Sequence, residues 1–416
     1  MAGEPTAEAP GKDFRILYHH RTQGRGGEGV HIREVIRAMR KLGCRVDLQE
    51  APGVDVMHAT ETGGIREAGA GRASAYSRLF RYLTRYAPQF IFELAELGYN
   101  LWVWRPLSKR LQKRQVDVFY ERYAFFSFIG TRLAERRGIP AVLEVNEIVG
   151  IERARGQALP WLARRVEAAV FRRASVILVV SSFLKETLIQ RGVDEAKIHV
   201  VPNAVREETL ASGNASGEVV RQQLGLQDAT IIGFVGQIVR WDRLDLLIDD
   251  MALLYKDWPD LRLLVVGPCR FMDELRNQVR RLSLEDAVIL TGPVERSDVM
   301  AYIDAMDIGL LPHSNPFGSP IVMFEYMAMA KPVLAVDVGP VRDIIVDDIN
   351  GCLFPAGDRD AFRDKLIDLL TAPERRKRIG ARALSDVRER HTWKRNAEYI
   401  LRIVAPLLQH EQAGDN

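Results

Sequence analysis

Short runs of apolar residues alternate along the chain with longer segments in which apolar residues recur at helical spacing. The runs in the first half are 14–20, 44–49, 116–122, 139–147 and 174–182. The runs in the second half are 231–237, 261–267, 287–293, 307–312, 332–336 and 351–354. Continuous apolar runs joined by amphipathic helices are typical of buried strands in a parallel, doubly wound sheet. The pattern therefore predicts an α/β protein with two Rossmann-like domains.

A more polar stretch separates the two sets of strands. It runs from Arg206 to Asp228 and carries NASGE in its middle. The predicted division begins with a disordered N-terminus (1–13) and an N-terminal domain (14–210). A linker (211–228) and a C-terminal domain (229–392) follow. The last helix (393–416) is expected to pack back across the domains. Two such domains face each other across a cleft, at the carboxyl ends of both sheets.

Glycines cluster at the first turn, before a helix predicted over residues 30–43. The loop RTQGRGGEG, residues 21–29, contains Gly24, Gly26, Gly27 and Gly29. Glycine lets the backbone approach a ligand closely, but a flexible connection would have the same composition. On its own the loop is a weak indication of a binding site.

One carboxylate, Glu325, interrupts the almost entirely apolar run that starts at Ser319. Ser319 is predicted to cap a helix whose first residue is Pro320, and the Lys331-Pro332 pair is predicted to end it. A helix start offers N–H groups and a positive dipole end to an anion. Glu325 either lies at the solvent edge of a core helix or accepts hydrogen bonds from the hydroxyls of a ligand. Hydroxyls together with an anion suggest a nucleotide.

Composition narrows the class of protein. A chain of 416 residues exceeds what one core usually supports. The net charge of +3 is too small to indicate nucleic-acid binding.

The three cysteines form no CxxC motif, which predicts no metal site and fits a reducing compartment. The N-terminus has no signal-peptide pattern and no charge-free stretch is long enough to span a bilayer. We expect a cytoplasmic protein that at most rests on the inner face of a membrane.

Residues 77–114 are the candidate for such a membrane contact. The segment SRLFRYLTRY, 77–86, places arginines on one helical face and apolar residues on another. Aromatic residues and further cations follow it. A basic amphipathic helix can lie in a membrane interface, although a helix packed on the sheet with its arginines in water would show the same pattern.

A series of motifs in the second half has a characteristic order. The motifs are VGQIVRWDR (235–243), LLVVGP (263–268), LTGPV (290–294), DIGLLP (307–312), SPIVMFEYMAMAKPV (319–333) and NGCLFPAGD (350–358). With ILYHHRTQG, DVFYERYAFFS, IPAVLEVNE and VVPNAV in the first half, they resemble glycosyltransferase family four. This family has the two-domain GT-B fold, and the match covers roughly residues 14–400.

The resemblance implies a metal-independent enzyme without a cofactor. Such an enzyme moves a sugar from a nucleotide-diphosphate donor, for example a UDP-sugar, to an acceptor hydroxyl with retention of configuration. The acceptor would be a glycan or a lipid-linked glycan in bacterial polysaccharide or glycolipid assembly. In the family, the glutamate that corresponds to Glu325 accepts hydrogen bonds from ribose hydroxyls. The backbone N–H groups that correspond to those of Ser319 and Ile321 bind the diphosphate.

The resemblance, together with positions at predicted strand ends and near the glycine-rich loop, gives candidate residues for three roles. The donor-binding candidates are Gly26, Gly27, Gly236, Gln237, Arg240, Arg243, Ser319, Pro320, Ile321 and Glu325. The catalytic candidates are Asn146, Glu147 and Arg243, and the acceptor-side candidates are His31, Arg122 and Glu144. Other interpretations remain open, because Asn146 fits a turn cap, Glu121 and Arg122 fit a buried ion pair, and a lone His31 fits a packing residue.

The chain departs from the family at the diphosphate subsite. Asp242 stands where a lysine is common, and Val322 replaces a second lysine. A diphosphate leaving group needs its charge stabilised. Arg240, Arg243 or Arg270 would have to substitute. The alternatives are a catalytically impaired partner or regulator in a glycan-assembly complex, and a synthase of the same fold that uses a soluble acceptor.

Overall fold

The computed structural model describes residues 13–22, 24, 26–51, 54–57, 88–112, 115–151, 157–211 and 216–412. These residues form two compact units. The first contains the described residues up to Pro202 and those from Lys394 onward, and the second contains Asn203–Trp393. No helix in the described part of the chain is long and apolar enough to cross a membrane.

The first unit is built on a six-stranded parallel sheet. Its strands are β1 (Arg15–His19), β2 (Arg45–Gln49), β3 (Val118–Arg122), β4 (Ala141–Val145), β5 (Val176–Val179) and β6 (Ile198–Val200), in the order β2-β1-β3-β4-β5-β6. Its helices are Gly26–Lys41, Gln89–Arg110, Ile129–Arg136, Pro160–Arg173, Ser182–Gln190 and the final Trp393–Gln412. β4 and β5 are buried along their whole length, as expected for parallel strands covered on both faces.

The second unit repeats this architecture. Its strands are β7 (Thr230–Val235), β8 (Leu261–Val266), β9 (Val288–Gly292), β10 (Ile308–Leu311), β11 (Val333–Asp337) and β12 (Cys352–Pro355), in the order β12-β11-β10-β7-β8-β9. Its helices are Glu207–Ala211, Gly217–Leu224, Leu244–Leu254, Met272–Arg281, Val299–Asp304, Ile321–Ala328, Gly339–Arg342, Arg359–Thr371 and Pro373–Arg390. Two doubly wound parallel sheets confirm the predicted fold class.

Strand positions follow the apolar pattern closely. Every apolar run identified in the sequence contains a strand. Among the described residues, the strand that the pattern missed is β6, which has three residues and pairs with β5. It is too short for periodicity to distinguish it from a loop.

The segment expected to link the domains contains ordered helices. The helix Gly217–Leu224 packs into the second unit, where Val220 and Leu226 are buried. The Gly217 N–H donates to Asp304 at 3.1 Å, and a Cβ on Gly217 would approach the Ala305 nitrogen to 2.6 Å. The polar composition of this stretch therefore reflects the exposed face of a helix, and the change of unit occurs earlier, at Pro202.

The final helix returns the chain to the first unit. The Asn396 side chain donates to the carbonyl of Pro202 at 2.7 Å. The side chains of Ala397, Leu401 and Val404 are buried. The first unit is therefore formed by two segments that are far apart in the sequence.

Candidate functional site

The carboxyl ends of β7 and β8 meet in tight glycine turns. Gly236 has φ +153° and Gly267 has φ +135°. A Cβ on Gly267 would lie 1.9 Å from the carbonyl oxygen of Gly236. Only glycine allows this approach. The predicted donor residue Gly236 thus lies at the carboxyl edge of the second sheet, where ligands bind in doubly wound folds.

The helix with the single carboxylate, Ile321–Ala328, starts one residue later than predicted. Pro320 is the capping residue and no side chain caps the helix. The hydroxyl of Ser319 instead accepts a hydrogen bond from the Asn203 N–H at 3.0 Å, and the Ser319 carbonyl accepts from the Asn203 amide. The predicted Ser319 cap is therefore wrong, because a residue 116 positions away occupies its hydroxyl.

Tyr326 holds this helix against the sheet. Its hydroxyl accepts from the Val235 N–H at 2.9 Å and donates to the Gly233 carbonyl at 3.3 Å. The ring lies on Gly309 of β10, where an added Cβ would approach it to 2.5 Å. Burial raises the pKa of the Tyr326 phenol, which keeps it a hydrogen-bond donor. Because Tyr326 is fixed, the position of its neighbour Glu325 relative to the ends of β7 and β10 is also fixed.

Glu325 is buried and already engaged by a cation. Its carboxylate forms an ion pair with Arg296, which follows the LTGPV motif between β9 and the helix Val299–Asp304. The sequence analysis did not identify Arg296 as a site residue. Its position just after the LTGPV motif was the only feature of the sequence that could have indicated it. Ligand hydroxyls that bind Glu325 must share its carboxylate with Arg296 or displace the guanidinium.

The two arginines predicted for the donor are paired with carboxylates at the surface. Arg240 contacts Glu274 at 2.7 Å, and Arg243, with φ +52°, contacts Asp245 at 3.0 Å. Exposed ion pairs of this kind contribute little free energy. Both guanidiniums can therefore reorient toward an anion at low cost. Gln237 of the same loop is exposed.

Asp242, between these arginines, has an unusual environment. Its carboxylate accepts from the Val239 N–H at 2.8 Å. Burial raises the pKa of Asp242 to about 6, and the Val239 hydrogen bond only partly offsets this. A carboxylate that protonates near pH 6 lies where the resemblance leads one to expect a lysine.

A second group of polar side chains surrounds Glu144 at the carboxyl end of β4, in the first unit. The Tyr120 hydroxyl donates to Glu144 at 2.9 Å and the Tyr18 hydroxyl at 3.4 Å. Nε2 of His31 lies 3.0 Å away, the Asn146 amide donates at 2.9 Å, and Arg122 forms an ion pair with Glu144.

The charge balance of this cluster keeps Glu144 ionised. Burial alone would raise the pKa of the Glu144 carboxyl, but His31 and Arg122 outweigh it and hold the pKa far below its usual range. A carboxylate with so many donors has little capacity left for a substrate. Its contacts instead hold His31 and Arg122 in place.

The structure therefore brings together all three acceptor-side candidates, His31, Arg122 and Glu144, and adds Asn146 to them. The hydrogen bond to Glu144 orients the Asn146 amide, and the neighbouring Glu147 is half-buried. Sequence reasoning missed Tyr18 and Tyr120, because both belong to apolar strand runs. They are cross-strand partners with rings stacked 4.7 Å apart.

Glu121 and Arg122 have different buried partners. Arg122 contacts Glu144, while Glu121 contacts Nδ1 of His19 at 2.8 Å and accepts from Ser127 at 3.0 Å. Consecutive strand residues point to opposite faces of a sheet, so the two side chains do not pair with each other.

The glycine-rich loop is shorter than predicted. The first helix starts at Gly26, so Gly26 and Gly27 form its exposed first turn. A Cβ on Gly29 would lie 1.9 Å from the Gly24 carbonyl oxygen, and Gly24 has φ +68°. Glycines at 24 and 29 thus close a tight turn, and Gly26 and Gly27 offer a helix start to an anion.

Comparison with known proteins gives matches to both halves. The family described as Glycosyltransferase Family 4 matches residues 25–209, and Glycosyl transferases group 1 matches residues 217–386. The D-inositol 3-phosphate glycosyltransferase of Kineococcus radiotolerans is 30% identical over 331 residues, which are 73% of this chain and 74% of that protein. The protein of the same name from Actinosynnema mirum is 25% identical over 90% of this chain and 91% of its own length.

Solved structures share the fold. Anabaena HepE in complex with UDP has a TM-score of 0.71 at 19% identity and covers 94% of this chain and 100% of its own. A glycosyltransferase from Rickettsia africae has a TM-score of 0.74 at 16% identity and covers 95% and 99%. With two six-stranded parallel sheets and matches to both family halves, the chain belongs to glycosyltransferase family 4 and is a glycosyltransferase of the GT-B fold.

Proposed function

We propose that the protein transfers a sugar from a UDP-sugar to an acceptor hydroxyl with retention of configuration and without a metal ion. The observation that carries this proposal is Glu325, a buried carboxylate in the second turn of a helix at the carboxyl edge of the second sheet. UDP is the favoured nucleotide because HepE, which shares the fold, is described in complex with UDP and with UDP-glucose.

Binding would begin at the start of the helix Ile321–Ala328. Its first-turn N–H groups and dipole attract the diphosphate, and Glu325 accepts hydrogen bonds from the ribose hydroxyls. Arg240 and Arg243 leave their surface partners for the diphosphate, at little cost. Together these groups stabilise the charge that develops on the leaving group.

Transfer then breaks the bond between the anomeric carbon and the diphosphate oxygen. The acceptor oxygen forms its bond to the same face of the sugar, and its proton passes to the departing diphosphate. No protein base is required for this step. This agrees with the environment of Asn146, an amide that has no basic function.

The acceptor is proposed to bind near the Glu144 cluster of the first unit, where His31 and Arg122 are held in fixed orientations. We propose a hydroxyl of a bacterial polysaccharide or glycolipid precursor. Because relatives are named D-inositol 3-phosphate glycosyltransferase, a phosphorylated polyol is the first alternative acceptor to test beside such a precursor.

Thermal unfolding with nucleotides and without metal tests the donor site. UDP at one hundred times its dissociation constant stabilises a protein by about 2.7 kcal/mol, which shifts the midpoint measurably. We expect a shift with UDP that exceeds those with GDP and ADP. Glu325→Ala should abolish it, and Glu374→Ala, which removes an exposed glutamate of the same unit, should retain it. NMR of a product formed from UDP-sugar then reports the anomeric configuration.

Absence of a shift with every nucleotide would favour the catalytically impaired partner. Asp242 and Val322, which replace two expected cations, are the observation behind that candidate. A shift with GDP or ADP alone would reject UDP as the donor nucleotide and leave the transferase proposal in place.

A further inference from the structure

The helix Gln89–Arg110 of the first unit exposes a face of large apolar side chains. These side chains, here called the apolar face, are Phe90, Ile91, Leu94, Leu101, Trp102 and Trp104. Leu101 is 82% exposed and Leu94 is 52% exposed. No other helix in the described part of the chain has more than one exposed large hydrophobic residue. Exposed apolar clusters of this kind mark interaction surfaces.

Three polar residues of the same helix, Glu93, Glu96 and Asn100, are buried. Glu93 accepts from the Ala158 and Leu159 N–H groups at 2.7 Å, just before the helix Pro160–Arg173. Glu96 forms an ion pair with Arg21 at 2.5 Å. The helix therefore buries both of its carboxylates beside the core residues Tyr99, Val103 and Leu107, while its tryptophans are partly exposed to solvent.

Asn100 fixes this orientation further. Its side-chain oxygen accepts from the N–H groups of Phe128 and Ile129 at 2.9 Å and 3.1 Å, and its amide donates to Phe126 at 2.7 Å. Rotation of the helix to bury its apolar face would break these bonds and leave buried polar groups unpaired, which is costly. The fold thus keeps the apolar face exposed.

Charge identifies the kind of partner. The only acidic residues of this helix are Glu93 and Glu96, and both are buried. Arg105 and Lys109, in contrast, are exposed at the end of the apolar face. The segment 77–86, which the sequence predicts as a membrane-binding helix, lies outside the described residues. The surface is therefore apolar and positive, without exposed negative charge on this helix.

We propose that the apolar face binds the interface of an anionic lipid bilayer. Tryptophan side chains favour the boundary between headgroups and acyl chains, and nearby cations attract anionic headgroups. A helix that lies in this boundary buries its apolar side without crossing the membrane. This surface goes beyond the proposed donor chemistry and would present the first unit to lipid-linked acceptors.

Vesicle sedimentation of the full-length protein, without nucleotide or acceptor, tests the proposal. Wild type should bind vesicles of phosphatidylcholine with about one third phosphatidylglycerol. Leu101→Gln/Trp104→Gln should weaken binding at least about tenfold, since two large apolar side chains are lost from the interface. Leu253→Gln, at an exposed leucine of the second unit, should bind as wild type. Arg105→Gln/Lys109→Gln should lose about tenfold on anionic vesicles and little on pure phosphatidylcholine.

Three outcomes would overturn the proposal. They are failure of wild type to sediment with anionic vesicles, wild-type binding by the Leu101→Gln/Trp104→Gln variant, and self-association in light scattering that this variant abolishes. The last outcome would assign the apolar face to contact between copies of the chain. All variants change exposed positions, and their melting midpoints check folding. Because no donor is present, this test and the nucleotide test can fail independently.

Discussion

At the scale of single residues, Asp242 is an acid whose environment disfavours its charge. Burial raises its pKa to about 6, above its ordinary value of 3.8. Between these pH values the folded protein retains a proton that the unfolded chain has lost. Stability from this residue is therefore present at low pH and is lost as pH rises through about 6.

Asp242→Asn keeps an oxygen for the Val239 N–H and removes the charge. We expect it to raise the free energy of unfolding by about 1–2 kcal/mol at pH 7.5 and by much less near pH 4.5, measured in urea. It should also tighten UDP binding at neutral pH, because the diphosphate no longer faces an anion. Asp245→Asn is the control, since Arg243 lowers the pKa of that carboxyl. An equal gain for Asp242→Asn at both pH values would contradict the raised pKa.

At the scale of elements, the helix Ile321–Ala328 depends on a glycine in a neighbouring strand. Gly309 of β10 leaves room for the Tyr326 ring, and the Tyr326 hydroxyl bonds to β7. The position of Glu325 therefore depends on its own helix, on the preceding strand β10 and on β7, which is distant in sequence.

Gly309→Ala is predicted to displace this helix. The new Cβ would overlap the Tyr326 ring, and overpacking of this kind destabilises by about 1–3 kcal/mol. UDP should bind more weakly as well, because Glu325 and the helix start shift together. Gly98→Ala is the matched control, since nothing lies within 4 Å of its new Cβ and alanine favours a helix. Thermal unfolding with and without UDP measures both effects, and unchanged UDP stabilisation in Gly309→Ala would contradict the prediction.

At the scale of the whole molecule, each unit has its own sheet and its own polar group. Hydrogen exchange measured by mass spectrometry should show UDP protecting backbone amides in peptides that cover 236–243 and 319–328. These segments contain the tight turn after β7 and the start of the helix with Glu325. ADP at the same concentration is the control. Protection restricted to peptides outside Asn203–Trp393 would place the nucleotide elsewhere.

Much of the fold could be predicted, because buried parallel strands need continuous apolar runs. The errors have local causes. β6 is too short to show a pattern, and the helix Gly217–Leu224 was interpreted as a linker because its exposed face is polar. The first helix starts at Gly26 instead of residue 30, since glycines normally indicate a loop. Sequence motifs also located Glu325 and the Glu144 region.

The sequence by itself determined the positions along the chain of the strands other than β6, the α/β class and the family, because these depend on local patterns and motif order. Only the tertiary structure decided which polar groups meet. Arg296 reaches Glu325 across 29 positions, and Tyr18 reaches Glu144 across 126. The burial of Asp242 and the outward apolar face of the helix Gln89–Arg110 depend likewise on neighbours that are distant in the chain. Contacts of this kind arise from packing between elements, and no local pattern of residues specifies them.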